Sequence, residues 1–302
     1  MIRLLLGPLL GFAIGFWLSA VGHEPAVIIT AAVVAWTAVW WMLEPIPIAV
    51  TSLLPLAIFP LSGVLTQTQV AEAYGNHLVL LLMGGFILST AMQRSGTHRR
   101  LALMMVHLFG GRRASQDPAD RGIGLRRVVF GFMVATAVLS MWISNAATTL
   151  MMLPIAMAVL ESSTSQRLSN CLLLGIAFAA SIGGIGTPIG TPPNMMFIEN
   201  YALTGAPEVS FAQWMMWMWP IIIVMLPIQA IWLTRGLPTT ERLELPEVGQ
   251  WRSEEIRTLA VFGVTALLWI TRVGPLGGWS SWLAIPQAND ACVAFLAIVA
   301  MH

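Results

Sequence analysis

The sequence contains no lysine; all fifteen of its basic residues are arginine, which rules out a Walker-type nucleotide loop. Charge of either sign is scarce. Charged residues make up 10% of the chain and hydrophobic residues 57%, against roughly 25% charged in a soluble domain. That balance excludes a soluble enzyme and points to an all-α polytopic membrane protein. Cysteine is limited to Cys171 and Cys292, both in apolar segments, so no disulfide framework is expected and the pair says nothing about compartment. No HExxH pair, His/Cys cluster or GxSxG elbow occurs. No nucleic-acid partner is expected from a formal net charge of +1.

Apolar runs do occur, at 3–21, 25–43, 48–64, 77–93, 128–160, 170–204, 214–234 and 257–271, with another opening near 290. The first could be taken for a signal peptide. Its core from Leu4 to Ala20 exceeds the usual signal core of about 7–15 residues, so a retained first helix is expected. With Arg3 cytoplasmic, the loops at 21–25, 65–76 and 201–213 carry no Arg and fall outside. The stretches 94–127 and 235–257, rich in Arg, then fall inside, and only Arg272 breaks the pattern. Residues 98–111 read as a surface helix, with Arg99, Arg100, Arg112 and Arg113 available to anionic headgroups.

That alternation requires the run 128–160 to enter and leave on one face. As one helix it would be about 50 Å long, where a single span needs about 20 residues. A re-entrant hairpin with SNAATT at its tip satisfies both length and charge. The run 170–204 is interrupted by GTPIGTPPN, where Pro188, Pro192 and Pro193 remove donors and Gly186 and Gly190 permit unusual torsions. One span with an unwound middle is expected. A bilayer core has no water for broken backbone, so two such breaks belong against protein or a wet cavity, as at a carrier's substrate site. For SNAATT alone close packing of small residues is the competing reading, and for GTPIGTPPN alone an ordinary Pro/Gly kink.

The ligands these patches offer are Ser140, Ser144, Asn145, Thr148, Thr149, Thr187, Thr191, Asn194 and freed carbonyls. All are hard, neutral oxygen donors, suited to Na⁺ and poor for soft metals. Half-helices starting near Ala146 and Pro192 are expected to turn their N-terminal N–H groups toward an anion. A neutral pocket cannot cheaply hold a dianion, so bound Na⁺ would supply the missing charge. Ser144 has no His or Lys base in these segments, which sets an intramembrane hydrolase aside. Glu44, His77, His107, Glu161 and Glu199 sit at segment boundaries and read as boundary residues, and Trp214, Trp217 and Trp219 read as an interfacial belt.

The segments LEPIPIAVTSLLPLAIFPLSGV, GGFILSTAMQRSGTHRRLAL, SMWISNAATTLMMLP and IGGIGTPIGTPPN resemble the divalent anion:sodium symporters of the solute carrier family 13 type, over nearly the whole chain from about Ala26. The resemblance implies a homodimeric carrier of two inverted repeats, embedded in lipid, working as an elevator, with no cofactor and Na⁺ as coupling ion. It implies substrates among di- and tricarboxylates or sulfate. By that resemblance Ser144 and Asn145 stand at the first two positions of a Ser-Asn-Thr motif that binds sodium and substrate. Ser140 matches a sodium-ligating serine and Gly190 a glycine whose carbonyl completes the sodium site. Thr191 and Pro192 match residues facing the substrate. Ala146 replaces the motif's threonine, and no second motif follows before His302.

The expected organisation is an N-terminal transmembrane helix at 1–24, a first inverted repeat at 25–256, and the start of a second, truncated repeat at 257–302. The expected function is sodium-coupled symport of small divalent anions, C4-dicarboxylates such as succinate or malate ahead of sulfate, in a bacterial-type inner membrane with the N-terminus cytoplasmic. The alternatives are a sulfate or tricarboxylate symporter, a proton-coupled or exchanging permease, and a non-transporting fragment.

Overall fold

The computed structural model describes residues 2–110, 123–161, 163, 165–238, 242–243, 249–273 and 278–301. They form a helical membrane protein with a single two-stranded pairing. Five of the described helices are long and apolar enough to cross a membrane: α1 (Ile2–Val21), α2 (Pro25–Leu43), α6 (His77–Ser95), α10 (Gln166–Gly184) and α12 (Phe211–Leu233). The chain divides into two compact units, residues 1–76 and 77–302.

In the first unit α1 packs along α2 through a stripe formed by Gly7, Gly11 and Gly15, the residues buried on α1. Pro8 has no N–H, so the carbonyl of Leu4 loses its helical partner. Trp40 Nε1 donates to that carbonyl at 3.1 Å. The run read as 48–64 is two short helices, α3 (Ile48–Thr51) and α4 (Leu54–Leu61). Pro55 cannot donate to Thr51 O, so the helix cannot propagate through Ser52 and Leu53. A further helix, α5 (Gln67–Tyr74), lies where the sequence suggested only a loop. A capping box starts it, with Thr66 N–H donating to Gln69 Oε1 and Gln69 N–H to Thr66 Oγ1.

The second unit opens with α6 and turns at Gly96 (φ +78°) into α7 (Thr97–Gly110). Ala102, Leu103 and Val106 of α7 are buried against α8 (Leu125–Ser140), whereas Met104, Leu108 and Phe109 are exposed. Arg100 is not free for lipid headgroups. It is buried, its Nε donates to Glu255 Oε2 at 2.7 Å, its other nitrogens donate to the Gly249 and Gln250 carbonyls, and it lies 5.0 Å from the Trp251 ring. Arg112, Arg113 and Arg121 lie outside the described residues. Just before α8, β1 (Ile123–Gly124) pairs antiparallel with β2 (Arg242–Leu243).

The 128–160 run folds as a hairpin of two helices, α8 and α9 (Asn145–Leu160). Every residue of α8 except Arg126, Arg127, Phe130 and Val138 is buried, between α7 and α10. Broken backbone at the end of such a helix is enclosed by protein, which is the condition under which a bilayer tolerates it. The 170–204 run is likewise two helices, α10 and α11 (Pro192–Leu203). Beyond α12, α13 (Ser253–Thr271) begins on Glu254 and Glu255, acidic residues in the favoured first turn. It is followed by α14 (Gly278–Trp282) and α15 (Asp290–Ala300), which packs on α6 and α13.

Candidate functional site

The α8–α9 turn and the α10–α11 break meet. Helix α8 stops at Ser140, and Ser144 caps α9, its Oγ accepting from Ala147 N–H at 3.4 Å. That leaves Asn145 and Ala146 as the first two residues of α9, whose N–H groups have no intrahelical carbonyl to reach. Asn145 turns its side chain back under the turn, where an ideal Cβ on Gly184 would stand 2.3 Å from Asn145 Oδ1. Gly184 is the last residue of α10, so only glycine lets α10 end against that amide.

The break from Ile185 to Thr191 is held by specific side chains. Asn194 Nδ2 donates to both Gly184 O and Thr187 O at 2.8 Å, and Trp214 Nε1 donates to Ile185 O at 2.8 Å. The wholly buried Thr187 donates its hydroxyl to Met141 O, tying the break to the α8–α9 turn. An ideal Cβ on Gly190 would lie 2.4 Å from Gly184 O and 3.0 Å from Met141 O, so Gly190 is wedged between the two broken elements. No hydrogen bond among the described residues ends on the Gly190 carbonyl.

At the centre is Ser140, with no exposed surface. Its Oγ lies 2.8 Å from Asn145 Oδ1 and 2.8 Å from Ala180 O. A hydroxyl has one hydrogen, so it can satisfy only one of these acceptors at a time. The Ser140 hydroxyl, the Asn145 amide oxygen and the Ala180 carbonyl thus stand together as three neutral oxygens, the hard donors that a small cation takes. Among the described residues no three His, Cys, Asp or Glu side chains cluster as a metal site, so any cation held here is held by neutral oxygens.

The residues read from the sequence sort by depth. Ser140 and Gly190 are buried; Ser144, Asn145 and Thr191 are half-buried; Ala146 and Pro192 are exposed. Ser140 and Gly190, read for sodium alone, thus lie deeper than Ser144 and Asn145, which the sodium and substrate sets share.

Some expectations change. Thr187 and Asn194 are clamps on freed backbone rather than open ligands, and Thr149 donates to Asn145 O at 2.8 Å within its own helix. The two helix starts do not contribute equally to an anion site. Pro192 and Pro193 have no N–H, and Asn194 N–H is taken by Thr191 O at 3.1 Å, so the first three residues of α11 leave no N–H for an anion, whereas Asn145 and Ala146 of α9 do. Trp214 is not part of an interfacial belt but is buried against the break, a role its position in a tryptophan-rich helix start did not betray. The Ala180 carbonyl was also invisible, since main-chain ligands leave no trace in side-chain pattern.

Comparison with known proteins places the chain in context. Residues 38–301 match a family described as citrate transporter. The sodium-dependent dicarboxylate transporter SdcS of Staphylococcus aureus strain NCTC 8325 is 35% identical over 326 aligned positions, covering 99% of this chain and 59% of the relative. The SdcS proteins of strains N315 and Mu50 match to the same extent. The chain therefore spans about three fifths of the length of these curated relatives, 59% in each case.

Proposed function

We propose that this chain, which belongs to the citrate transporter family, carries one half-site of a sodium-coupled symporter for small divalent anions, with C4-dicarboxylates such as succinate or malate ahead of sulfate. It is an integral membrane transporter protein and not an enzyme. The observation that carries the reading is the cluster of neutral oxygens formed by Ser140 Oγ, Asn145 Oδ1 and Ala180 O, together with the Gly190 carbonyl, on which no hydrogen bond among the described residues ends. The name of the Staphylococcus relatives supports both sodium and dicarboxylate.

Sodium and anion are coupled by charge in this reading. Na⁺ enters the buried cluster, with Ser140, Ser144, Asn145 and Gly190 as its ligands. The site is then positive, and a carboxylate docks on the accessible rim formed by Ser144, Asn145, Ala146, Thr191 and Pro192. The free N–H groups at the start of α9 hydrogen-bond the carboxylate and the helix dipole favours it. Without the cation, the same rim would have to desolvate a dianion against neutral groups, which is costly. The ordering follows: sodium first, anion second.

The wider architecture is proposed with it: a helix at 1–24, a first inverted repeat at 25–256 and the opening of a second at 257–302, in a homodimer that moves its site as an elevator. The N-terminus lies in the cytoplasm and the membrane is a bacterial-type inner membrane. The test is uptake of labelled succinate into proteoliposomes bearing the whole protein. Replacing external Na⁺ by choline should lower the initial rate to that of protein-free vesicles; uptake undiminished in choline would point instead to a proton-coupled or exchanging permease.

The family description favours one competing substrate class, the tricarboxylates. Ala146 decides how the rim treats a larger anion, because it is exposed at the second position of α9 and brings no hydroxyl. Ala146→Thr is expected to change the ratio of succinate to citrate uptake by several-fold while leaving the sodium requirement in place. Competition assays with both anions check this, and an unchanged ratio would remove Ala146 from the rim.

A further inference from the structure

The second unit holds two apolar clusters rather than one. The first gathers α7, α8, α9, α10 and the end of α12; the second gathers α6, α11, the start of α12, α13 and α15. Among the described residues a single side chain, Trp142, packs against both. It lies in the α8–α9 turn itself, between Met141, whose carbonyl receives the Thr187 hydroxyl, and the capping residue Ser144.

The indole enters an aromatic cradle that is built independently of the turn. It stacks on Phe211 of α12 (6.1 Å, 18°) and on Trp269 of α13 (6.4 Å, 7°), and meets Phe262 of α13 edge-on (5.3 Å, 85°). The cradle is held without Trp142. Phe211 and Trp269 stack on each other at 5.2 Å, and Trp269 Nε1 donates to Asp290 O at 2.9 Å. Asp290 is in turn gripped by both ends of its carboxylate in a pair with Arg272 (2.5 and 3.2 Å). Stacked and edge-on rings have preferred geometries that a sliding contact would not keep. A rigid socket on one cluster thus receives one plug from the other, and the plug is next to the oxygen cluster.

We propose that Trp142 is the positioning residue of this site. Its indole pins the α8–α9 turn at the depth where Ser140, Asn145 and Gly190 meet, and withdrawal of the ring from the cradle is the local step that opens the oxygen cluster to cation entry and release. The second half of this statement rests on the sodium reading above; the pin itself does not. Trp142 touches neither cation nor anion in this account, and acts through the backbone of the turn.

Amide hydrogen exchange on the full chain in detergent separates the two halves. In Trp142→Ala, exchange in a peptide spanning 139–149 should rise about tenfold or more, with the helices of residues 1–76 unchanged, because local opening is governed by local contacts. Trp142→Phe keeps a ring in the cradle and should restore most of the protection. Should Trp142→Ala fail to fold, Phe262→Leu, which removes the edge-on contact from outside the turn, carries the same comparison with a smaller rise. In uptake assays of the whole protein, Trp142→Ala should raise the sodium concentration for half-maximal rate several-fold, with the rate at saturating sodium less affected. Unchanged exchange in 139–149, or an equal rise across the chain, overturns the pin. A local rise in a protein whose wild-type uptake ignores sodium leaves the pin standing and removes the sodium reading.

Discussion

Asn145→Ala should reduce sodium-driven uptake by the whole protein to background while the folded protein persists. The side chain supplies one of the acceptors facing Ser140 Oγ, at 2.8 Å, and with Ser144 it is shared by the proposed cation ligands and the accessible rim. Truncation removes that oxygen and leaves the Ser140 hydroxyl with the Ala180 carbonyl alone, so the cluster offers a cation one donor fewer. A hydrogen-bonding group lost from a charged contact costs about 1.5–3 kcal/mol, roughly 10- to 150-fold in binding at about 1.4 kcal/mol per decade. Rim and cluster both lose a contact, so the combined loss reaches background. The fold tolerates the change because Asn145 is half-buried and the cap on α9 comes from Ser144. Sodium-dependent uptake at the wild-type level in Asn145→Ala would detach the α8–α9 turn from cation binding altogether.

How much of this could be read from the sequence depends on whether the determinant is local. The ends of α1 and α2 fall within a residue of the apolar runs 3–21 and 25–43, because Gly22 (φ +89°) and Pro25 punctuate the chain there. Both breaks were legible for the same reason. Ser144 ahead of a helix start and Pro192–Pro193 at another are signals carried by neighbouring residues. The partition of hydroxyls and amides was not legible. Whether Thr187 or Asn194 is a ligand or a clamp depends on Met141 and Gly184, partners supplied by the fold. Arg100 counted toward a basic surface until folding delivered Glu255 to it from 155 residues away. Trp214 read as part of an interfacial belt and Trp142 carried no signal of its own, since only packing reveals that one holds a carbonyl and the other plugs a socket.

The remaining large effect separates packing from site geometry by comparing a glycine in the last turn of α10 with one in the α10–α11 break. At Gly183, an ideal Cβ would fall 2.1 Å from Ala137 O and 2.4 Å from Ala137 Cα. These are main-chain atoms of α8, so no side chain can swing aside and the two helices themselves must part. Gly183→Ala gains about 1 kcal/mol of helix propensity. Against that, overpacking costs about 1–3 kcal/mol and occasionally more. The contact here falls on backbone at the heart of the first apolar cluster, so the upper end of that range applies, leaving about 2 kcal/mol net, and the melting temperature in detergent should fall by about 4–8 °C. At Gly190 the clash is with Gly184 O at 2.4 Å and Met141 O at 3.0 Å, but Gly190 itself lies between helices rather than within one. The break can shift to relieve it, but the shift carries the Gly190 carbonyl away from Ser140 and Asn145. Gly190→Ala should therefore melt within about 2 °C of the wild type and yet lose sodium-driven uptake. Equal melting losses in the two variants would mean that the break is a packing element and not a site. A Gly190→Ala protein with normal uptake would mean that its carbonyl does not contribute to the oxygen cluster. The pair works as a test because the two glycines obstruct different things: one holds helices together, and the other holds a carbonyl in place.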